Sequence, residues 1–223
     1  KKAVKSRTDF LNLGFYLPLA QKLCDILGDL STGQSVIDAG CGEGYYSNMI
    51  AKNIGASVFG FDLSKEAIIS ASRSAKRQGI SNANFFVGGI YDLPVKEDSA
   101  DAVVNIFAPC AEKEFSRILK MGGRLVVVTA GKNHLLGLKR AVYETVYTNE
   151  ARADMPENMK LIESFNLSYN IEIEGADSIR NLFSMTPYSY RTSERDMQKL
   201  MALEHLETEI EFDIFVYAKE DET

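Results

Sequence analysis

The segment 36–46 (VIDAGCGEGYY) constrains the fold of this chain more than any other. Its short apolar run predicts a buried strand, and glycine at every second position predicts a tight loop that leads into a helix. Glycine permits positive φ and lets the backbone approach a ligand closely. The free N–H groups of a helix start suit a polar or negatively charged group. The segment therefore predicts a cradle for a nucleotide-type cofactor.

A second acid strengthens this interpretation, because D-x-G-x-G alone occurs in many α/β proteins. The segment 58–62 (VFGFD) predicts the next strand, with the carboxylate of Asp62 at its end, about 20 residues after the loop. An acid at this position is placed to bind ribose hydroxyls. The alternative role of Asp62 is to cap the following helix, and the two roles are compatible.

The composition indicates one soluble globular protein. The 223 residues include 45% hydrophobic residues, enough for a good core, without an apolar tract long enough for a membrane span. No signal-peptide pattern follows the basic first residues, so the cytoplasm is the expected location. Three scattered cysteines, Cys24, Cys41 and Cys110, indicate reduced thiols and no zinc site. We expect no metal and no membrane partner.

The net charge of −6 argues against a generally basic nucleic-acid binder. It leaves room for a local basic face, and Lys132, Lys139 and Arg140 form one such group. Such a run of charges usually belongs to solvated surface. The sequence leaves the oligomeric state open, with a homodimer as one option.

Strand and helix patterns alternate along the chain. Apolar runs predict five strands at 36–39, 57–61, 84–87, 102–107 and 124–129, with the glycines 122 and 123 ending the helix before the fifth. Alternating residues at 165–173 and 208–217 predict two more, and helices are expected near 133–147, 176–184 and 193–204. These elements predict a doubly wound α/β fold with a seven-stranded, mostly parallel sheet. We expect a helical lead-in at 1–33 and one domain at 34–223, in which 132–223 completes the sheet and forms the acceptor side.

Two cofactors compete for the loop, a dinucleotide and S-adenosylmethionine. A dinucleotide fold usually has G-x-G-x-x-G, whereas Gly40, Gly42 and Gly44 are separated by single residues. Glu43 inside the loop would repel a pyrophosphate but tolerate an amino group and a sulfonium. Asp38 is positioned to interact with the methionine ammonium. The loop therefore favours S-adenosylmethionine.

Four segments together resemble the successive signatures of class I S-adenosylmethionine methyltransferases. They are 38–44 (DAGCGEG), Asp62, 92–94 (DLP) and 118–125 (ILKMGGRL). The resemblance implies a Rossmann-like, seven-stranded sheet whose final strand is antiparallel and inserted beside the fifth.

A narrower resemblance extends over nearly the whole chain. The segments 7–19 (RTDFLNLGFYLPL), 42–46 (GEGYY), 106–110 (IFAPC), 134–135 (HL) and 185–188 (MTPY) are similar to the bacterial 23S ribosomal RNA guanine-N1 methyltransferases. The resemblance implies that Tyr16, Gly42, Glu43 and His134 contact the cofactor. With the loop and the acid, the expected cofactor-binding set is Tyr16, Asp38, Gly40, Gly42, Glu43, Gly44, Asp62, Leu63 and His134.

Two departures from that family stand out. The family has an N-terminal zinc module, and this chain begins where that module would have ended, so we expect either a fragment or a protein without it. Gly88 and Gly89 stand where many class I relatives place an acid for the adenine amino group.

Each assignment has a plainer alternative. Glu43 would suit a helix start, Tyr16 a core position, and His134 a structural role. On the acceptor side, Phe107 is positioned to stack on guanine and Asn105 to orient it, the alternative being a strand-end turn. The base that takes the N1 proton is not identified.

The expected function is methyl transfer to N1 of a guanine in 23S ribosomal RNA, a step of rRNA processing. The alternatives are a small-molecule methyltransferase of the quinone or metabolite type and a non-catalytic cofactor-binding protein.

Overall fold

The computed structural model describes residues 2–149, 156 and 158–220. Seven strands form one sheet in the order β3-β2-β1-β4-β5-β7-β6. Their bounds are β1 Ser35–Ala39, β2 Ser57–Asp62, β3 Ala83–Val87, β4 Ala100–Ile106, β5 Leu119–Ala130, β6 Met159–Glu174 and β7 His205–Lys219. The prediction of a seven-stranded α/β sheet is confirmed.

The first five strands are parallel, as their apolar runs indicate. β1 lies between β2 and β4, with Asp38 opposite Gly60 and Val104. β4 is buried almost throughout, which is typical of a parallel strand covered on both faces. The carboxyl ends of β1, β2 and β4 therefore lie at one edge of the sheet, where open α/β folds bind ligands.

The last two strands run antiparallel to each other. The N–H of Gly175 donates to the carbonyl of Glu204 at 2.8 Å, and the N–H of Glu220 donates to that of Asn158 at 3.3 Å. As the residue number rises along one strand, the number of the paired residue on the other strand falls. β7 lies between β5 and β6, in agreement with the resemblance.

Eight helices occur among the described residues. They are α1 Lys2–Leu11, α2 Leu17–Leu27, α3 Tyr45–Asn53, α4 Lys65–Arg77, α5 Glu112–Ile118, α6 Leu136–Val142, α7 Ala176–Ser184 and α8 Glu194–Met201, with a 3-10 helix at Pro187–Tyr190. None is long and apolar enough to cross a membrane.

Two local predictions were wrong. The helix expected at 133–147 is the shorter α6. Gly122 and Gly123 do not end a helix, because α5 ends at Ile118 and both glycines lie inside β5. There they accompany a register shift between β4 and β5, and Gly122 has a φ of 70°.

The described residues divide into two compact units. One comprises 2–17, 130–149 and 166–212, and the other comprises 18–129, 156, 158–165 and 213–220. The second unit has a core centred on Ile37, Phe61, Val103, Phe115 and Val127. The division into a lead-in at 1–33 and a domain at 34–223 stays a prediction.

Candidate methyltransferase site

The glycine loop after β1 has the backbone geometry that the sequence predicts. Gly40, Gly42 and Gly44 all have positive φ, of 90°, 54° and 77°. A Cβ on Gly40 would lie 2.8 Å from the Cβ of Ala108, so a side chain is excluded there by contact as well as by conformation. The loop thus packs directly against the turn that follows β4.

Asp62 at the end of β2 holds this loop. Its Oδ2 accepts the N–H of Gly42 at 2.9 Å, and its Oδ1 accepts the N–H of Ser64 at 2.8 Å. Ser64 is the N-cap of α4, because its Oγ accepts the N–H of Ala67. A carboxylate oxygen has room for a second donor, so Asp62 can still accept hydroxyl groups of a ribose.

An open apolar surface adjoins Asp62. Leu63 is 78% exposed, and a Cβ on Gly89 would lie 3.6 Å from its Cδ2. A Cβ on Gly88 would contact Phe61 at 3.4 Å. An adenosyl group has a polar ribose and a flat adenine. The carboxylate suits the ribose hydroxyls, and the uncovered apolar side chain suits the face of the adenine.

The two other acids of the predicted set are buried. Asp38, 2% exposed, accepts a short hydrogen bond from the hydroxyl of Ser47 and so ties β1 to α3. Glu43, 5% exposed, lies just before Gly44, the N-cap of α3. An acid favoured by the helix dipole would be expected in the first turn of the helix, and Glu43 lies before that turn.

Asn105 is fully buried at the end of β4. Its Nδ2 donates to the carbonyl of Ala39 at 3.3 Å and to that of Pro109 at 3.0 Å. The side chain therefore fastens the turn after β4 to the end of β1. Both bonds use Nδ2, whereas the buried Oδ1 has no hydrogen-bond partner among the described residues, and the role of Asn105 in orienting the acceptor base stays a prediction.

Phe107 is the exposed aromatic residue of that turn. It is 40% exposed and has a φ of 53°, while its N–H donates to the carbonyl of Val128 at 3.1 Å. A bulky residue in the left-handed region costs about 1 to 3 kcal/mol, and such strain concentrates at functional sites. This turn carries an exposed phenyl ring, and its next residue, Ala108, contacts Gly40 of the glycine loop.

Tyr16 and His134 meet in the other unit, 118 positions apart in the sequence. The hydroxyl of Tyr16 lies 3.3 Å from Nε2 of His134, and both rings contact Phe212. Burial, with the nearby Lys139 charge, lowers the pKa of His134 to about 4, so its ring is neutral at neutral pH. Burial raises the pKa of Tyr16, which keeps its proton.

Some residues of these sites were missed by sequence reasoning. Ser47 holds Asp38, and Glu209 and Glu211 of β7 accept the N–H groups of Gly137 and Asn133 at 2.6 and 2.7 Å. The alternation of acids in β7 indicates a polar face but not that it anchors a distant loop. Among the described residues, no group of three or more His, Cys, Asp or Glu side chains could hold a metal ion.

Several known proteins have similar sequences. A candidate 23S rRNA (guanine-N1) methyltransferase of Bacillus subtilis (strain 168) is 25% identical over 218 residues, 92% of this chain and 75% of that protein. The 23S rRNA (guanine(748)-N(1))-methyltransferase of Streptomyces fradiae is 31% identical over 144 residues, 62% of this chain and 50% of that protein. The geranyl diphosphate 2-C-methyltransferase of Saccharopolyspora erythraea is 30% identical over 139 residues, 57% of this chain and 47% of that protein. The chain thus spans about half the length of the last two.

Solved structures share the fold. Geranyl diphosphate methyltransferase in complex with SAM has a TM-score of 0.60 at 19% identity, over 91% of this chain and 84% of that chain. Geranyl diphosphate C-methyltransferase of Streptomyces coelicolor A3(2), with Mg²⁺, geranyl diphosphate and S-adenosyl-L-homocysteine, has a TM-score of 0.62 at 17% identity, over 96% and 84%. The sequence signature of the family described as "Methyltransferase domain" matches residues 30–200. The chain therefore belongs to the methyltransferase domain family, with a class I fold, as its sequence predicts.

Proposed function

We propose that this protein methylates N1 of a guanine in 23S ribosomal RNA. The methyl donor is S-adenosylmethionine. The observation that carries the proposal is the contact between the glycine loop and the turn after β4. Gly40 packs against Ala108, and Asn105 binds the carbonyl of Ala39. The surface that holds a donor and the surface that presents an aromatic ring to an acceptor are therefore adjacent.

The cofactor side is assigned to residues at the ends of β1 and β2. Asp62 would hold the ribose, Leu63 would cover the adenine, and the loop from Gly40 to Gly44 would approach the amino-acid part. Buried acids at Asp38 and Glu43 favour a cationic group over a pyrophosphate. When bound, S-adenosylmethionine supplies an electrophilic methyl group.

The acceptor side is assigned to Phe107. Bases of single-stranded or looped RNA are commonly held by stacking on aromatic side chains. Stacking on Phe107 would align the guanine edge, and alignment supplies much of the catalysis in such a transfer. Asn105 holds the turn that carries Phe107 through its Nδ2, and its Oδ1 is left to orient the guanine. The N1 proton must pass to a general base as the methyl group is transferred.

In the other unit, Tyr16 and His134 are proposed to contact the cofactor, as the resemblance implies. The relatives from Streptomyces fradiae and Bacillus subtilis support the choice of RNA, since the first is named as a 23S rRNA guanine-N1 methyltransferase and the second as a candidate for that activity. With ribosomal RNA as the substrate, the proposed location is the cytoplasm.

A small-molecule methyltransferase is the second candidate. The relative from Saccharopolyspora erythraea is named for geranyl diphosphate, and the demethylmenaquinone methyltransferase of Lactococcus lactis is 30% identical over 132 residues. An aromatic ring can hold a prenyl chain or a quinone as well as a base.

One experiment separates these candidates. The protein is incubated with methyl-labelled S-adenosylmethionine and either unmethylated bacterial 23S rRNA or a panel of prenyl diphosphates and quinones. We expect label in the RNA, recovered as 1-methylguanosine after digestion, and none in the panel. An Asp62→Ala variant is the control for background. Label confined to a small molecule would overturn the proposal, as would no label from a protein that binds the cofactor.

A further inference from the structure

His134 has one ring nitrogen whose role is fixed by the backbone. The N–H of Glu211 lies 3.2 Å from its Nδ1. A backbone N–H can only donate, so Nδ1 carries a lone pair. Because the ring is neutral, its single proton must be on Nε2.

This tautomer determines the direction of the next hydrogen bond. The Nε2–H of His134 faces the hydroxyl oxygen of Tyr16 at 3.3 Å. Tyr16 then accepts from His134, and its own proton is left for another acceptor. No second hydrogen-bond partner of this hydroxyl occurs in the part of the chain that the structure describes, although Tyr16 is only 4% exposed. A buried donor without an acceptor is costly, which points to a ligand that supplies one.

Glu211 also holds the loop that carries His134. Its carbonyl accepts the N–H of Gly131 at 2.8 Å, and its Oε2 accepts the N–H of Asn133 at 2.7 Å. The amide of Asn166 donates to its Oε1 at 3.1 Å. A Cβ on Gly131 would lie 2.5 Å from Cγ of Glu211, so the loop packs directly on this side chain. His134 therefore cannot shift without changing its contacts to Glu211.

We infer that Glu211 is a positioning residue: its backbone N–H sets the Nε2–H tautomer of His134, and its carboxylate holds the loop that keeps the ring against that N–H, so that Tyr16 meets the bound ligand as a hydrogen-bond donor. The group it binds is an acceptor, of which the carboxylate of an amino acid is the matching class. The inference rests on the proposed function, in which Tyr16 contacts S-adenosylmethionine, and it adds the direction of that contact and the residue that sets it.

The tautomer is tested by ¹⁵N NMR of the histidine rings. The chain has 2 histidines, so a His205→Gln variant assigns the signals. In the wild-type protein at neutral pH we expect a pyridine-type Nδ1 and a pyrrole-type Nε2 for His134. Glu211→Ala keeps the backbone N–H but loses the carboxylate that holds the loop at Asn133, so the ring should move away from that N–H and the two forms should mix. A pyrrole-type Nδ1 in the wild type would overturn the inference.

Calorimetry with S-adenosylmethionine tests the consequence. Tyr16→Phe should weaken binding about 10- to 150-fold, the effect of one hydrogen bond to a charged carboxylate. With Tyr16 present, Glu211→Ala should weaken binding about threefold to tenfold. In a protein that already carries Tyr16→Phe, it should have no further effect. Glu207→Gln, an exposed acid on the same strand, is the control and should bind as the wild type does.

The outcomes separate the two proposals. A wild type that binds no S-adenosylmethionine contradicts the proposed function, and the NMR result still tests the tautomer. Equal effects of Glu211→Ala with and without the Tyr16 hydroxyl contradict the inference alone. If circular dichroism shows that Glu211→Ala does not fold, Glu211→Gln and Asn166→Ala replace it, because each weakens the anchor less. Unchanged binding and an unchanged tautomer in both would overturn the inference.

Discussion

Asp62 accepts the N–H of Gly42 at 2.9 Å across 20 positions of sequence. The acid that the sequence assigns to a ribose therefore also shapes the loop that would receive the rest of the cofactor. Its other oxygen binds Ser64 at the start of α4. One carboxylate thus joins the loop after β1 to the end of β2, and its loss should change both.

Asp62→Ala is predicted to reduce the affinity for S-adenosylmethionine below detection, or by at least about 30-fold. The variant loses charge-assisted hydrogen bonds, each worth about 1.5 to 3 kcal/mol, and frees the N–H of Gly42. Titration calorimetry measures the affinity.

The control for Asp62 is Asp101→Asn. Asp101 lies near the start of β4, where it pairs with Lys120 at 2.8 Å, so it should affect stability and not affinity. Unchanged affinity in both Asp62→Ala and Gly42→Ala would contradict the assignment of the cofactor site.

Gly40→Ala is predicted to destabilise the protein more than Gly33→Ala. The two glycines have nearly the same φ, 90° and 93°, so the conformational strain is matched at about 1 to 2 kcal/mol. Only at Gly40 does the added Cβ meet another atom, at 2.8 Å, whereas nothing lies within 4 Å at Gly33. Overpacking adds about 1 to 3 kcal/mol. Urea unfolding should show this difference, and equal losses would mean that the loop does not press on Ala108.

The sequence was a good guide where structure is local. Apolar runs placed β1, β2 and β4, because a strand buried on both faces needs them, and the spacing of Gly40, Gly42 and Gly44 identified three positions of positive φ. The resemblance to class I methyltransferases placed the final strand beside the fifth, as the sheet has it.

Long-range contacts account for what the sequence did not show. The start of α6 depends on residues about 70 positions later, since Thr208 and Glu209 accept the N–H groups of Leu138 and Gly137. Because no local pattern encodes such a cap, the sequence did not indicate where α6 begins, and the predicted helix at 133–147 was too long. Likewise, the sequence shows Asn105 as a polar residue at a ligand-binding edge, and only the fold reveals that its Nδ2 binds two backbone carbonyls.

Phe107→Ala is predicted to impair RNA methylation while cofactor binding is retained. Loss of a stacking platform costs about 1 to 3 kcal/mol per base, so KM for the RNA should rise roughly 5- to 150-fold. Phe107→Tyr keeps a ring and should retain most activity. Steady-state kinetics on an rRNA fragment, with calorimetry for the cofactor, measure the two effects. Wild-type KM in Phe107→Ala would exclude stacking at this position.

Mild acid is predicted to destabilise the protein through His134. Its pKa is about 4 in the folded state and 6.5 as the unfolded reference, so between these values the unfolded chain binds the additional proton. The contribution of His134 to the free energy of unfolding is therefore fully present above pH 6.5. It decreases as pH falls, by about 2 kcal/mol at pH 5. Carboxylates with lowered pKa, such as Asp29, lose their contribution only at lower pH. Urea unfolding at pH 7 and pH 5 measures the loss, and it should be smaller in His134→Gln.

His205 should change the pH dependence of stability in the opposite direction to His134, so His205→Gln serves as the comparison. Hydrogen bonding to Glu174 raises the pKa of His205, so its contribution is fully present below the unfolded pKa and is lost as pH rises through the folded one. Removing it should make the loss of stability between pH 7 and pH 5 larger. The same pH dependence in His134→Gln as in the wild type would mean that His134 is not buried as a neutral ring.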